Sequence, residues 1–313
     1  MKSAFFEKNG ATPIVPIQYT NREGFSTQFW LKRDDLIDPN VSGNKWRKLK
    51  FNIKHAITHN YQGVASFGGA FSNHIAALAA AGQRANLTTI GFIRCHEIDE
   101  TNPTLRLAQQ KGMKLIKLSR EDYRLRHSPD FIKQLQLDYP DFYFVPEGGS
   151  NDMATLGLNE LATRIKSETE FDYMATAIGS GGTIKGLMQA LPKQNFIGVA
   201  AVKDTPLLHD LQEKFSDQLI LNQSALFGGY AKFDATLEDF CLDFFEQTTV
   251  PIEPVYTGKL FYALCHQQEL MALTPENKIL AVHTGGLQGL LGLIYRRQID
   301  PTRWQKVISS LAV

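Results

Sequence analysis

Lys45 stands directly behind Ser42, Gly43 and Asn44 in the stretch SGNKWRKLK, where three turn-forming residues give way to an apolar helical pattern of Trp46, Leu49, Ile53 and Ile57. A lysine at such a hinge between loop and helix can act as a nucleophile or base when burial or nearby positive potential lowers its pKa. The plainer reading is a surface lysine at a helix start. Lys48 and Lys50, further along, read as solvated charges on the same helix. The strongest local signal is ATAIGSGGTIKGLMQAL, residues 175–191, in which an apolar strand runs into Gly179, Ser180, Gly181, Gly182 and Thr183 and a helix follows at once. Glycines permit positive φ and let successive N–H groups converge, and a helix N-terminus adds positive potential, so this turn is built to cradle a phosphate. It lacks the Gly-Lys-Ser/Thr ending of a Walker A loop and the spacing of the dinucleotide fingerprint. The alternative is a glycine turn that only connects strand to helix.

Three further turns share this design. SFGGAFSNHIAALAAAG, residues 66–82, places Ser72, Asn73 and His74 at a helix start. Ser72 suits an N-cap, which alone explains a serine there. Asn73 offers both a donor and an acceptor to a ligand oxygen. A lone histidine such as His74 is structural more often than catalytic. VPEGGSNDMATLGL, residues 145–158, and AVHTGGLQGLLGL, residues 281–293, supply the other two, the last with Thr284 before Gly285 and Gly286. Four such turns at strand ends point to one site lined from several sides.

These residues need a scaffold, and the chain's rhythm specifies it. Strand-length apolar segments (FWLKRD, GVASF, LTTIGFI, KLIKLS, FYFVP, DYMATAI, NFIGVAAV and KILAVH) alternate with helical patterns, as in open, mostly parallel α/β sheets flanked by helices. With 313 residues and 43% hydrophobic content, two domains are expected. The spacing places a smaller α/β domain at 50–158, with 1–49 joining 159–313 in a larger one. The functional loops then lie beyond the carboxyl ends of the strands. With 33 basic against 32 acidic residues the net charge is +1 and no basic stripe is present, so neither nucleic acid nor an anionic membrane is the expected partner. Cys95, Cys241 and Cys265 are far apart and odd in number, which fits a reducing compartment, and MKSAFFEKNGATPIVPIQ lacks an apolar leader. The expectation is a cytoplasmic protein that binds a small molecule.

A phosphate cradle together with an isolated lysine at a hinge is what pyridoxal 5′-phosphate requires: the turn takes the phosphate and the amine condenses with the aldehyde. Beyond that, TPI, LKRDDL, GNKWRKL, GGAFSNH, PEGGSN, GSGGTIKGL, PVYTGKL and HTGG occur in this order almost end to end. In these motifs the chain resembles the fold-type II pyridoxal-phosphate enzymes, and within them the 1-aminocyclopropane-1-carboxylate deaminase and D-cysteine desulfhydrase family. The resemblance implies a tryptophan synthase β-like fold with the active site between two domains, and a homodimer. It makes Lys45 the Schiff-base lysine and the leading candidate for the base that removes the α proton. It places Asn73 on the cofactor's ring hydroxyl, Gly179, Ser180, Gly181, Gly182 and Thr183 on its phosphate, and Thr284 on the pyridine nitrogen. Ser72, His74 and Tyr256 would face the substrate, Tyr256 being otherwise readable as a core aromatic at a strand–helix corner.

Two positions divide the branches. Deaminases of the family usually carry VYEGK, whose glutamate partners the ring nitrogen, and a non-hydroxyl residue before the last Gly-Gly; this chain has Thr257 and Thr284. A threonine hydroxyl gives a weaker pull on the ring, sufficient when a good leaving group departs, which favours α,β-elimination over cyclopropane opening. D-cysteine would then give pyruvate, sulfide and ammonia. Phe71, Ile75 and Ala76 depart from the family's usual residues beside the substrate serine. The competing expectations are 1-aminocyclopropane-1-carboxylate or another D- or β-substituted amino acid as substrate, and a protein that binds the cofactor without turnover.

Overall fold

The computed structural model describes residues 10–311; the first half of the stretch read as lacking an apolar leader lies outside them. The chain forms two compact units. One comprises residues 37–157 and 288–300 with the end of the N-terminal segment; the other comprises 12–36, 158–287 and the C-terminal segment.

The second unit carries a six-stranded sheet formed by β1 (Ile14–Thr20), β2 (Ser26–Lys32), β7 (Tyr173–Ile178), β8 (Asn195–Ala200), β9 (Leu219–Asn222) and β10 (Ile279–Val282), in the order β1-β2-β10-β7-β8-β9. All neighbours are parallel except the β1–β2 hairpin. β7 and β8 are buried almost throughout, as strands covered on both faces must be. Their side chains pack with Leu158, Leu161 and Ile165 and with Ile184, Leu187 and Met188. A Cβ on Gly186 would meet Leu158 Cδ1 at 2.4 Å, so helix Gly182–Ala190 lies close against helix Asp152–Glu168.

The first unit carries a four-stranded sheet of β3 (Gly63–Gly69), β4 (Thr88–Arg94), β5 (Met113–Leu118) and β6 (Phe142–Phe144), parallel throughout, in the order β5-β4-β3-β6. On it lie helices Asn44–Thr58 and Asn73–Ala85. Trp46, Leu49, Ile53 and Ala56 of the former share one core with the alanine-rich face of the latter. This packing corrects the expected boundary at 49/50, because a helix whose apolar stripe is buried against this sheet's helices cannot belong to the larger sheet. Lys45 therefore belongs to the first unit. Residues 288–300 join it as well: Gly292 abuts the Phe71 ring, which a Cβ would meet at 2.9 Å.

Candidate active site

In the first unit Lys45 opens helix Asn44–Thr58, preceded by Gly43 at φ 59. Lys45 is half-buried, and desolvation lowers its pKa from 10.5 to about 8 against the opposing charge of Glu147, with no hydrogen bond contributing among the described residues. Lys48, one turn on, is not the solvated charge expected. It is 1% exposed, and its amine donates to Ser150 Oγ at 3.0 Å and to the Gly148 carbonyl at 3.4 Å. Burial and then the Lys45 charge hold its pKa well below the usual lysine range. Lys50 is also buried, its amine lying 5.3 Å from the Trp46 ring centroid. The turn facing Lys48 needs its glycines, since Gly148 and Gly149 have φ of 71° and 74°. Beside it Glu147 accepts from the Tyr123 hydroxyl and from Arg126 Nε, each at 2.5 Å.

Ser72 caps helix Asn73–Ala85, accepting from the Ile75 N–H at 3.4 Å, and its hydroxyl proton remains to be donated. Gly68, next to last in β3, makes a close approach: a Cβ there would lie 2.8 Å from Ser72 Oγ. Asn73 lies beside Gly289, with Oδ1 3.5 Å from where a Cβ would stand. His74 is buried, its Nε2 2.8 Å from Ser66 Oγ, while Nδ1 has no partner among the described residues. Burial, then Lys45 and Lys48, keep its pKa well below the ordinary value, so it is a neutral imidazole anchored to β3.

In the second unit β7 ends at Ile178, and Gly179 to Gly181 turn the chain into helix Gly182–Ala190. Gly181 has φ 76 and no side chain caps the helix. Ser180 is exposed, while Thr183 is buried. A Cβ on Gly179 would meet Tyr256 Cε1 at 2.9 Å, which puts the tyrosine ring against this turn. Tyr256 occupies the N-cap position of helix Thr257–His266 without capping it. The Thr257 hydroxyl is committed to Glu253 Oε1 at 3.0 Å, so it is an internal support. Thr284 follows His283, whose Nε2 donates to the Pro251 carbonyl at 2.8 Å and whose Nδ1 accepts from the Gly285 N–H at 3.2 Å, partners that fix the tautomer. Gly285 and Gly286 take φ of 73° and 90°.

Sequence reasoning missed Lys259. It is wholly buried, with a pKa lowered by desolvation to about 8, and its amine donates to the carbonyls of Ala201, Leu226 and Gly229 at 3.2, 2.9 and 2.6 Å. Three acceptors hold its ammonium, whereas among the described residues none is seen at that of Lys45. In the apoprotein, acylation of Lys45 by an amine reagent should rise with pH to a midpoint near 8, over two units below an ordinary lysine; labelling followed by peptide mapping reads it.

A low-pKa lysine without a hydrogen-bond partner and an uncapped glycine turn at a helix N-terminus fit an aldehyde-bearing phosphate cofactor on the chemistry of the groups themselves. Parallel α/β sheets with a glycine turn at the end of β7 and this lysine at a helix start suit a pyridoxal-phosphate enzyme, and the chain belongs to the pyridoxal-phosphate dependent enzyme family, whose model matches residues 6–285. It is 30% identical to the bifunctional D-cysteine desulfhydrase/1-aminocyclopropane-1-carboxylate deaminase of Arabidopsis thaliana, over 96% of this chain and 82% of that protein. It is 25% identical to the D-cysteine desulfhydrase of Serratia proteamaculans, over 90% and 92%. A crystal structure of an ACC deaminase homologue shares the fold, with a TM-score of 0.76, 24% identity and 99% of each chain covered. Among the described residues no helix is long and apolar enough to cross a membrane.

Proposed function

We propose that this chain catalyses pyridoxal-phosphate-dependent α,β-elimination on a small amino acid, with D-cysteine as the substrate and pyruvate, sulfide and ammonia as products. When bound, the cofactor supplies an electron sink for the charge left by removal of the α proton. Lys45 is the point of covalent attachment and, when freed, the base, its amine passing to the neutral form around pH 8. Asn73 takes the ring hydroxyl, Thr284 the ring nitrogen, and Gly179, Ser180, Gly181, Gly182 and Thr183 the phosphate. The Ser72 hydroxyl, with a proton to donate, serves the substrate carboxylate or reacting carbon, and Tyr256 lies beside the substrate. His74, whose Nδ1 lies near Gly149, completes the set assigned to the substrate. The carrying observation is Lys45 at the start of helix Asn44–Thr58, behind Gly43 at φ 59, with no hydrogen-bond partner for its amine among the described residues. A homodimer, which the family resemblance implies, and a cytoplasmic setting, which the cysteine usage suggests, complete the proposal.

Elimination is favoured over cyclopropane opening by the hydroxyl at Thr284 and by threonine at 257 in place of the glutamate of VYEGK, its hydroxyl being engaged with Glu253. The test is twofold. Protein loaded with pyridoxal phosphate is reduced with borohydride and the labelled peptide mapped; separately, ammonia and sulfide release is followed with D-cysteine and with 1-aminocyclopropane-1-carboxylate. Label on Lys45 with sulfide from D-cysteine supports the proposal. Ammonia from the cyclopropane alone makes the chain a deaminase, label without any release makes it a cofactor-binding protein, and label on another lysine overturns the assignment.

A further inference from the structure

The segment Pro251–Thr257 solves a capping problem in an unusual way. Helix Thr257–His266 begins after Tyr256, and a tyrosine has no oxygen within reach of the first free N–H groups, where Ser, Thr, Asp or Asn ordinarily stands. The work is done from three residues earlier. Glu253, 1% exposed, accepts from the N–H groups of Val255 at 2.7 Å, Tyr256 at 3.0 Å and Thr257 at 2.8 Å. The Thr257 hydroxyl adds a fourth bond at 3.0 Å, and the Glu253 N–H returns one to Thr257 Oγ1 at 3.1 Å. The Pro251 carbonyl is meanwhile held by His283. Burying a carboxylate is costly, and here desolvation raises the Glu253 pKa to about 7 despite these bonds. A serine at position 256 would cap the helix without burying any charge.

We infer that Glu253 is a positioning residue for Tyr256. By capping the helix from outside the N-cap position, it leaves that position to a tyrosine and fixes the tyrosine's backbone so that the ring stands against Gly179. The inference rests on the proposal that Tyr256 acts on the substrate.

A double-mutant cycle of Glu253→Gln and Tyr256→Phe tests it, with all four proteins saturated with pyridoxal phosphate and ammonia release measured on the better of D-cysteine and 1-aminocyclopropane-1-carboxylate. Glutamine turns an N–H₂ donor toward backbone donors, so the amides of 255–257 should exchange hydrogen faster in both backgrounds. Because misplacement of a reacting group is costly, kcat should fall about tenfold when Glu253 is changed alone, and less than about twofold when Phe already stands at 256. An equal loss in both backgrounds overturns the inference, since the carboxylate then acts other than through the tyrosine phenol. Unchanged exchange also overturns it, while leaving the role of Tyr256 standing. Full activity of Tyr256→Phe removes that role, and the inference with it. If Glu253→Gln does not fold, Glu253→Asp, which keeps the charge but withdraws it by one methylene, runs the same cycle.

Discussion

Replacing Lys45 with alanine is expected to reduce steady-state ammonia release by at least about a thousandfold, because one side chain supplies both the covalent attachment and the base. The fold should be untouched. Among the described residues the Lys45 amine makes no hydrogen bond that its loss would leave open, and desolvation of its ammonium works against folding. Between about pH 8 and 10.5 the unfolded chain binds a proton at this lysine that the folded chain does not, so this group makes stability rise with pH there and is unfavourable below. Thermal melting of Lys45→Ala near pH 7 should therefore match or exceed that of the unaltered protein. Lys259→Ala is the informative contrast. That lysine has a similarly lowered pKa, but its amine satisfies three carbonyls, two in buried bonds and one in a half-buried bond, and orphaning them should cost about 3 kcal/mol in stability. Retained turnover in Lys45→Ala would remove the assignment, whatever the fate of Lys259→Ala.

The contrast between those lysines marks what a sequence can and cannot carry. The alternation of strands and helices is legible because apolar periodicity directly reflects burial, and all eight expected strand segments coincide at least in part with strands. β1 and β9 were not legible. Pro13 and Pro16 punctuate the first, which is tolerated because β1 is an edge strand paired only with β2; the second is four residues long. The glycine turns were legible because positive φ leaves a residue-type signature, as at Gly148, Gly181 and Gly285. Burial of charge leaves none: Lys48 reads like any helix-surface lysine, and only its approach to Gly148 and Ser150, about a hundred residues away, takes it out of solvent. Glu253 was hidden for the same reason. Its role arises from folding back on the three residues after Pro254, which neither composition nor period reveals.

Gly181→Ala should weaken pyridoxal phosphate binding about tenfold or more while changing the melting temperature little. The residue sits at φ 76 directly before helix Gly182–Ala190, so its conformation sets how the following N–H groups point at a phosphate. An alanine there carries roughly 1–2 kcal/mol of left-handed strain, relieved by shifting the very turn that would hold the ligand. Its Cβ would meet Leu207 Cδ1 at 2.8 Å, the end of a flexible side chain that can give way, so the effect should be local. Gly24→Ala isolates the strain: φ there is 87°, nothing lies within 4 Å of the added methyl, and the position belongs to the exposed turn joining β1 to β2. Equilibrium titration should find Gly24→Ala binding like the unaltered protein. Comparison with pyridoxal, which lacks the phosphate, identifies the group concerned: the preference for the phosphorylated form should shrink in Gly181→Ala and persist in Gly24→Ala. Unaltered affinity and preference in Gly181→Ala would mean that the turn merely connects β7 to its helix, and the phosphate would have to be sought among the Lys48 amine and the glycine turn it faces.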